Sequence, residues 1–242
     1  MSLTVAAIRY TDDLPAMRDF LELLGLSPAV VSSGWIDLHA GAGRVWLHAT
    51  SNADSPSTPG QTNLCFETTD LPGLAERLGT NYIDETFGAS LLITDPLGDT
   101  VQINSRHTDT YGYESLQPRP DLQTSVVAVR FTDPAGSYVP FLQALGLRRS
   151  VSTSNADYAE FSAGTGIVGL HTAGPDTGDR THATSAHVAV VQLALSTTRD
   201  LDAIAETLRS GGHGDAHVVA GGSQRSVHVT DPDGQSLEIH PA

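Results

Sequence analysis

The stretch VAAIRYTDDLPAMRDFLELLGL, residues 5–26, returns as VVAVRFTDPAGSYVPFLQALGL at residues 126–147. A chain that carries one segment twice is built from repeats, and the repeat constrains the architecture before any other feature does. Arg9, Thr11 and Asp12 match Arg130, Thr132 and Asp133; Phe20, Leu24 and Gly25 match Phe141, Leu145 and Gly146. WIDLHAGAGRVWLH, residues 35–48, then aligns without a gap on YAEFSAGTGIVGLH, residues 158–171. LCFETTDLPGLAERL, from Leu64, resembles LALSTTRDLDAIAETL, from Leu193. LLITDPLGDTVQIN, ending at Asn104, resembles VHVTDPDGQSLEIH, ending at His240. Within each half, a strand, an acid-started helix and further strands occur twice. The reading is an α+β chain of four tandem βαβββ units, paired into two similar domains with curved mixed sheets.

Local chemistry supports each element. Val5 to Tyr10 is apolar with β-branched and aromatic residues, which suits a strand. Thr11 and Asp12 are placed to cap the next helix, in which Met17, Phe20, Leu21 and Leu24 fall at helical spacing. Gly25 ends that helix, and Asp70 and Asp200 open the second and fourth helices. Ala42-Gly43 and Thr165-Gly166 read as tight hairpin turns. Asp95-Pro96-Leu97-Gly98 and Asp231-Pro232-Asp233-Gly234 read as turns in which proline fixes φ and glycine accepts a positive one. The polar, proline-bearing segment 107–123 divides a first domain, 1–106, from a second, 124–242.

Twenty-eight acidic residues against 13 basic ones give a net charge of −15. That balance excludes a basic nucleic-acid face and repels anionic membranes, while it draws cationic ligands at long range. The single cysteine, Cys65, lies in an apolar alternating stretch and reads as a buried structural thiol. The N-terminus MSLTVAAIRYTDD has no basic region followed by a long apolar run, and no segment has the length of a membrane span. The expectation is a cytoplasmic protein, monomeric or homodimeric, whose partner is a small molecule.

The βαβββ unit that ends in a DPxG turn and a polar-apolar strand resembles the vicinal oxygen chelate superfamily. That group holds glyoxalase I, extradiol dioxygenases, fosfomycin-resistance enzymes and bleomycin-resistance proteins. The most specific pieces are ITDPLGDTVQIN and VTDPDGQSLEIH. The resemblance covers nearly the whole chain apart from the linker. It implies a sheet-lined cup in each domain, with metal-using members placing His, Glu or Gln at four strand positions. Mapped by motif, those positions are Val5, His48, Asn63 and Gln102 in the first domain and Val126, His171, Gln192 and Glu238 in the second. Valine ligates nothing, so the opening position is empty in both. The resemblance leaves open whether each cup forms within a domain or between units one and four.

Two functional readings follow. In the first, the protein resembles the bleomycin-resistance branch, uses no cofactor, and holds a cationic or aromatic, antibiotic-like organic ligand. Trp35, Trp46 and Tyr158 supply stacking faces, and His48, Asn63, Gln102, His171, Gln192, Glu238 and His240 orient the ligand. In the second, His171, Gln192 and Glu238 hold a divalent metal (Zn, Fe, Mn, Ni or Mg) for a lyase, isomerase or dioxygenase acting on vicinal oxygens, with His240 or His228 as a base. Only the second domain has a carboxylate, Glu238, where the first has Gln102, so the second is the better candidate for a working cup. HGDAH, residues 213–217, spaces two histidines like a helical zinc pair, but it lacks the glutamate and follows a Gly-Gly turn.

Overall fold

The computed structural model describes residues 3–53, 57–85, 88–106, 113–150, 155–162, 164–173, 187–221 and 224–242. The first part of the expected linker, 107–112, lies outside the described residues. Unit one comprises β1 (Leu3–Thr11), α1 (Leu14–Leu23), β2 (Ser27–Val31), β3 (Trp35–His39) and β4 (Arg44–Ala49). Unit two comprises β5 (Thr62–Thr68), α2 (Leu71–Leu78), β6 (Ile83–Glu85), β7 (Gly88–Thr94) and β8 (Thr100–Ser105), and a short β9 (Glu114–Ser115) follows. Unit three comprises β10 (Thr124–Phe131), α3 (Tyr138–Ala144), β11 (Arg148–Arg149), β12 (Tyr158–Ser162) and β13 (Ile167–His171). Unit four comprises β14 (Gln192–Thr197), α4 (Leu201–Ser210), β15 (His217–Gly221), β16 (Gln224–Thr230) and β17 (Ser236–Pro241). The four βαβββ units expected from the repeats are therefore present in order.

Each domain forms one mixed, curved sheet, β6-β7-β8-β5-β1-β4-β3-β2-β9 in the first and β11-β12-β13-β10-β14-β17-β16-β15 in the second. The opening strands of the two units lie antiparallel at the centre, β1 on β5 and β10 on β14. Each opening strand also runs parallel to its own unit's last strand. Both sheets therefore join units within a domain. The cores do not. Leu21, Phe20 and Leu47 of unit one pack with Ile204, Leu208 and Ile239 of unit four. Phe66, Leu74 and Ile103 of unit two pack with Leu142, Phe161 and Leu170 of unit three. The helix faces of both sheets are thus buried against the other domain, an apolar arrangement that leaves the opposite faces to the cups.

The two hairpin turns meet where the domains cross. Val5 N donates to Thr165 O at 2.8 Å, and Val126 N donates to Ala42 O at 2.8 Å. Gly43 and Gly166 have φ of +85° and +82°, and a Cβ on Gly43 would stand 2.8 Å from the Cβ of Val126. A Cβ on Gly166 would stand 2.7 Å from the Cβ of Val5. Glycine is needed there for both the turn and the close approach.

Asp70 and Asp200 cap α2 and α4, accepting from Gly73 N and Ala203 N at 3.0 and 2.9 Å. The cap of α1 differs from the expectation. Asp13, not Thr11 or Asp12, accepts from Ala16 N, because Pro15 sits in the first turn and starts the helix one residue later. Thr11 instead accepts from Asp13 N and donates to Asp233 of the second domain. The equivalent helix α3 starts at Tyr138 behind Ser137, which makes no side-chain cap.

Candidate functional site

Strand alternation sorts the candidate residues. On β1, Val5, Ala7 and Arg9 face the helices, while Ala6, Ile8 and Tyr10 face the cup; β10 divides the same way. This corrects the mapping of the opening positions. Val5 and Val126, both fully buried, point into the interdomain core, where the glycine turns close over them. The first-strand residues that do face the second cup are Val127, Val129 and Phe131. The opening strand still offers no ligand.

Trp35, Trp46, His48, Asn63 and Gln102 all stand on one face of the first sheet. Trp46 and His48 pair across the ladder with Ile8 and Tyr10, Trp35 pairs with His48, and Asn63 and Cys65 pair with Ile8 and Ala6. The Trp35 and Trp46 rings lie 6.2 Å apart, and Tyr10 lies 5.5 Å from His48. This cup is largely filled. Trp46 is 5% exposed, Cys65 is fully buried, and burial pushes its thiol pKa far up. Many of its polar groups pair with one another: Gln102 donates to Asn104 at 2.9 Å, Gln61 donates to Asn63 at 2.9 Å, and Arg44 spans Asp37 and Glu67 at 3.1 and 2.8 Å, while Trp46 Nε1, Asp37 Oδ1 and Gln61 Oε1 are buried without a partner.

Tyr158, His171, Gln192, Glu238 and His240 stand together on the equivalent face of the second sheet. Tyr158, His171 and Phe131 form one cross-strand row, with His171 5.8 Å from Phe131 and 6.1 Å from Tyr158. A second row runs His217, His228, Glu238, Ala194. The Oε2 of Glu238 lies 3.0 Å from His240 Nε2 and 4.0 Å from His228 Nε2, and His228 Nε2 lies 2.9 Å from Ser226 Oγ. The hydrogen bond from His240 holds the Glu238 carboxyl below its ordinary range, helped by His228 and His171 and opposed by burial. Glu238 is about one-third exposed, at 32%, and His171 is open to solvent. The second cup is therefore the open one.

His171 meets Thr172 O through Nδ1 at 2.7 Å, and His48 meets Ala49 O through Nδ1 at 2.9 Å. Each ring is thereby oriented with Nε2 free of that bond. His217, His228, Ser226 and Phe131 join the cup beyond the residues expected to contact the ligand, His228 being expected only as a base in the metal reading. Alternation along β16 and across β15 is the signal that finds the first three, since all face the same way as Glu238. The other histidine of HGDAH, His213, packs its ring 4.7 Å from Phe20, so that pair serves two separate places.

Residues 125–239 match the model of the Glyoxalase/Bleomycin resistance protein/Dioxygenase superfamily. The match falls on the second domain, which is similar to this superfamily over those residues. The first repeats its architecture unit for unit, so the vicinal oxygen chelate fold expected from the repeats is the fold of the whole chain. A catechol 2,3-dioxygenase structure is 18% identical over 100% of this chain and 89% of its own, with a TM-score of 0.59. Homoprotocatechuate 2,3-dioxygenase from Arthrobacter globiformis is 16% identical over 100% and 79%, with a TM-score of 0.59. The Mn(II)-bound glyoxalase from Novosphingobium aromaticivorans is 15% identical over 99% and 81%, also with a TM-score of 0.59. At these identities the likeness is one of fold. No curated protein matches the chain. No helix among the described residues is long and apolar enough to cross a membrane.

The superfamily implies a divalent metal, for which the second cup is the candidate site. Among the described residues, no three His, Cys, Asp or Glu side chains converge as an ion requires. Glu238 is engaged by His240, the amide of Gln192 is directed at Ser236 O at 3.5 Å, and the first strand contributes only valines and Phe131. The described residues do not fit the group.

Proposed function

We propose that the second cup binds a small organic cation with an aromatic body, and does so without a metal. The observation that carries this is Glu238, a carboxylate held ionised in an open cup, whose ion pairs among the described residues are with histidines only. The first cup's carboxylates, Asp37 and Glu67, are taken by Arg44 and Arg106. Glu238 meets no arginine among the described residues, so a cationic ligand competes there only with histidines. Tyr158, Phe131 and His171 offer ring faces across the same cup, the arrangement that cations with flat apolar bodies favour. The net charge of −15 raises the local concentration of such ligands.

The rival reading is a divalent-metal-dependent lyase, isomerase or dioxygenase. It draws on the named activities of the structural relatives, and the free Nε2 of His171 suits a ligand role. The failure of the other groups to converge weighs against it.

Isothermal titration with benzyltrimethylammonium and with bleomycin tests the proposal. Binding that weakens roughly tenfold in Glu238→Gln, the scale of a desolvated charge contact, supports it. Equal affinity in both proteins overturns it. Both tryptophans stand in the first cup, so tryptophan quenching on binding would place the ligand there instead. Uptake of one equivalent of transition metal, lost in Glu238→Gln, would favour the metal reading.

A further inference from the structure

The loops that follow α2 and α4 differ in length. Leu78 matches Leu208 at an offset of 130, whereas Asp95 matches Asp231 at an offset of 136, so unit four carries six extra residues. The hairpins β6-β7 and β15-β16 already align at 136, Glu85 and Gly88 matching Gly221 and Gln224, which places the extra residues between α4 and β15. There they plug a groove between α4, β16 and α1 of unit one. His213 lays its ring 4.7 Å from that of Phe20, and a Cβ on Gly211 would stand 2.4 Å from Leu23 Cδ1. Ala216 is 2% exposed, in the core that holds Phe20 and Leu208. Asp215 accepts from Thr230 N, on the edge of β16, at 2.7 Å.

Units two and three build the same groove and leave it open. Leu78, Thr94, Phe141, Ala144 and Leu145, the repeat equivalents of Leu208, Thr230, Phe20, Leu23 and Leu24, line a cavity of about 350 Å³. Ala144 and Thr94 are exposed, and Leu92, which also lines it, is 49% exposed. Strand β6 pairs with β7 only as far as Ser90, whereas β15 reaches His228 on β16. Asp95 N donates back to Asp99 O, as Asp231 N does to Gln235 O. Successive N–H groups of an edge strand point to opposite sides, so Thr94 N faces outward as Thr230 N does toward Asp215. At the rim, Arg77 donates to Leu145 O at 3.1 Å and pairs with no carboxylate among the described residues. An apolar floor, an outward N–H and an arginine without a carboxylate complement what fills the other groove: a ring, a carboxylate and a small apolar residue.

We propose that this groove docks a peptide segment of a partner protein, in which an imidazole or aromatic ring is followed by an aspartate and a small apolar residue. It uses none of the second cup's residues, so it stands independently of the cation reading. The probe is a synthetic peptide of residues 211–218, acetylated and amidated, titrated into the full chain and followed by ¹H–¹⁵N NMR. The expected result is a dissociation constant of about 1 mM or tighter, modest because a free peptide loses its freedom on docking. The amides of Arg77, Thr94 and Ala144 should shift. Asp215→Asn in the peptide should weaken binding roughly fivefold, the scale of one hydrogen bond to a charged group. Ala144→Trp, at an exposed helix position that lines the groove, should abolish binding while the remaining spectrum stays folded. No shift at about 5 mM peptide, or equal binding by Ala144→Trp, overturns the inference. Shifts centred on Phe20 and Thr230 instead would place the peptide in the filled groove and overturn it too. So would shifts of the same amides with protein concentration alone, which would make a second copy the occupant.

Discussion

The Nη2 of Arg130, in the second domain, lies 3.0 Å from the carboxylate of Asp95 in the first, and Asp99 shares the same nitrogen. Tyr138 donates its hydroxyl to Asp95 at 2.7 Å. Arg9 makes the reciprocal contact, reaching Asp231 and Asp233 of the second domain. The arginine that recurs in the two repeats thus binds the DPxG turn of the opposite domain each time. These turns are also the ends from which the cup strands β8 and β17 start, so the domain contact positions the cups.

Arg130→Ala is expected to destabilise the chain by about 3–5 kcal/mol, because it strands two carboxylates in a dry interface. The Arg130 and Asp95 side chains are 2% and 0% exposed, so solvent does little to screen the loss. Asp95 Oδ1 also accepts from Leu97 N and Asp99 N at 2.9 Å each, and Asp95→Ala should therefore lose the turn as well as the ion pair. Chemical denaturation followed by far-UV circular dichroism measures both. A loss below about 1 kcal/mol in Arg130→Ala would mean that the pair is solvated.

Gly43→Ala and Gly98→Ala separate backbone strain from crowding. Both glycines have positive φ, +85° and +90°, so alanine is strained at either by about 1–2 kcal/mol. A Cβ on Gly98 meets nothing within 4 Å, whereas on Gly43 it meets Val126 and Gly166. Overpacking adds about 1–3 kcal/mol at Gly43 alone. Val126→Ala in the Gly43→Ala background should recover part of that difference in the same denaturation assay.

The contrast between these glycines shows what sequence carried and what it did not. Gly98 is legible, because the DPxG pattern needs only local geometry. The crowding at Gly43 is not, since Val126 reaches it only once two domains cross. Val126 misleads for the same reason. The motif places it at a cup position, but a strand buried on both faces gives no apolar-polar alternation to say which way it points. His48 and His171 are legible as repeat equivalents and Glu238 from the DPxG motif, and alternation then adds Trp46 and His240 to their faces. The filling of the first cup was hidden, because Arg44, Asp37 and Glu67 come from three strands that only the sheet register aligns.

Cys65 should resist thiol reagents. It is fully buried between Ala6 and Trp46, and burial raises its pKa, so neither access nor thiolate is available. A disulfide reagent such as 5,5′-dithiobis(2-nitrobenzoate) is expected to react with less than about a tenth of the thiol in native protein, and with all of it in denaturant. Rapid native reaction would show that the first cup opens.

His240→Ala should raise the pKa of Glu238, because the hydrogen bond from His240 is the largest influence holding it down. The sign for stability follows. A carboxyl whose folded pKa is depressed contributes stability above its unfolded pKa, near 4.3 for a typical glutamate, and loses it as pH falls through the lower folded value. His240→Ala should therefore be destabilising near neutral pH and neutral once the pH lies well below the depressed folded value. With Glu238 about one-third exposed, the effect should be about 1 kcal/mol or less. Binding of benzyltrimethylammonium should follow the same carboxyl. The acidic midpoint of its affinity is expected to lie below the ordinary glutamate range in the wild type and to move upward in His240→Ala. Carboxyl ¹³C shifts of Glu238 across a pH series measure the pKa directly, and an unchanged midpoint in the variant would assign the depression to His228 and His171 instead.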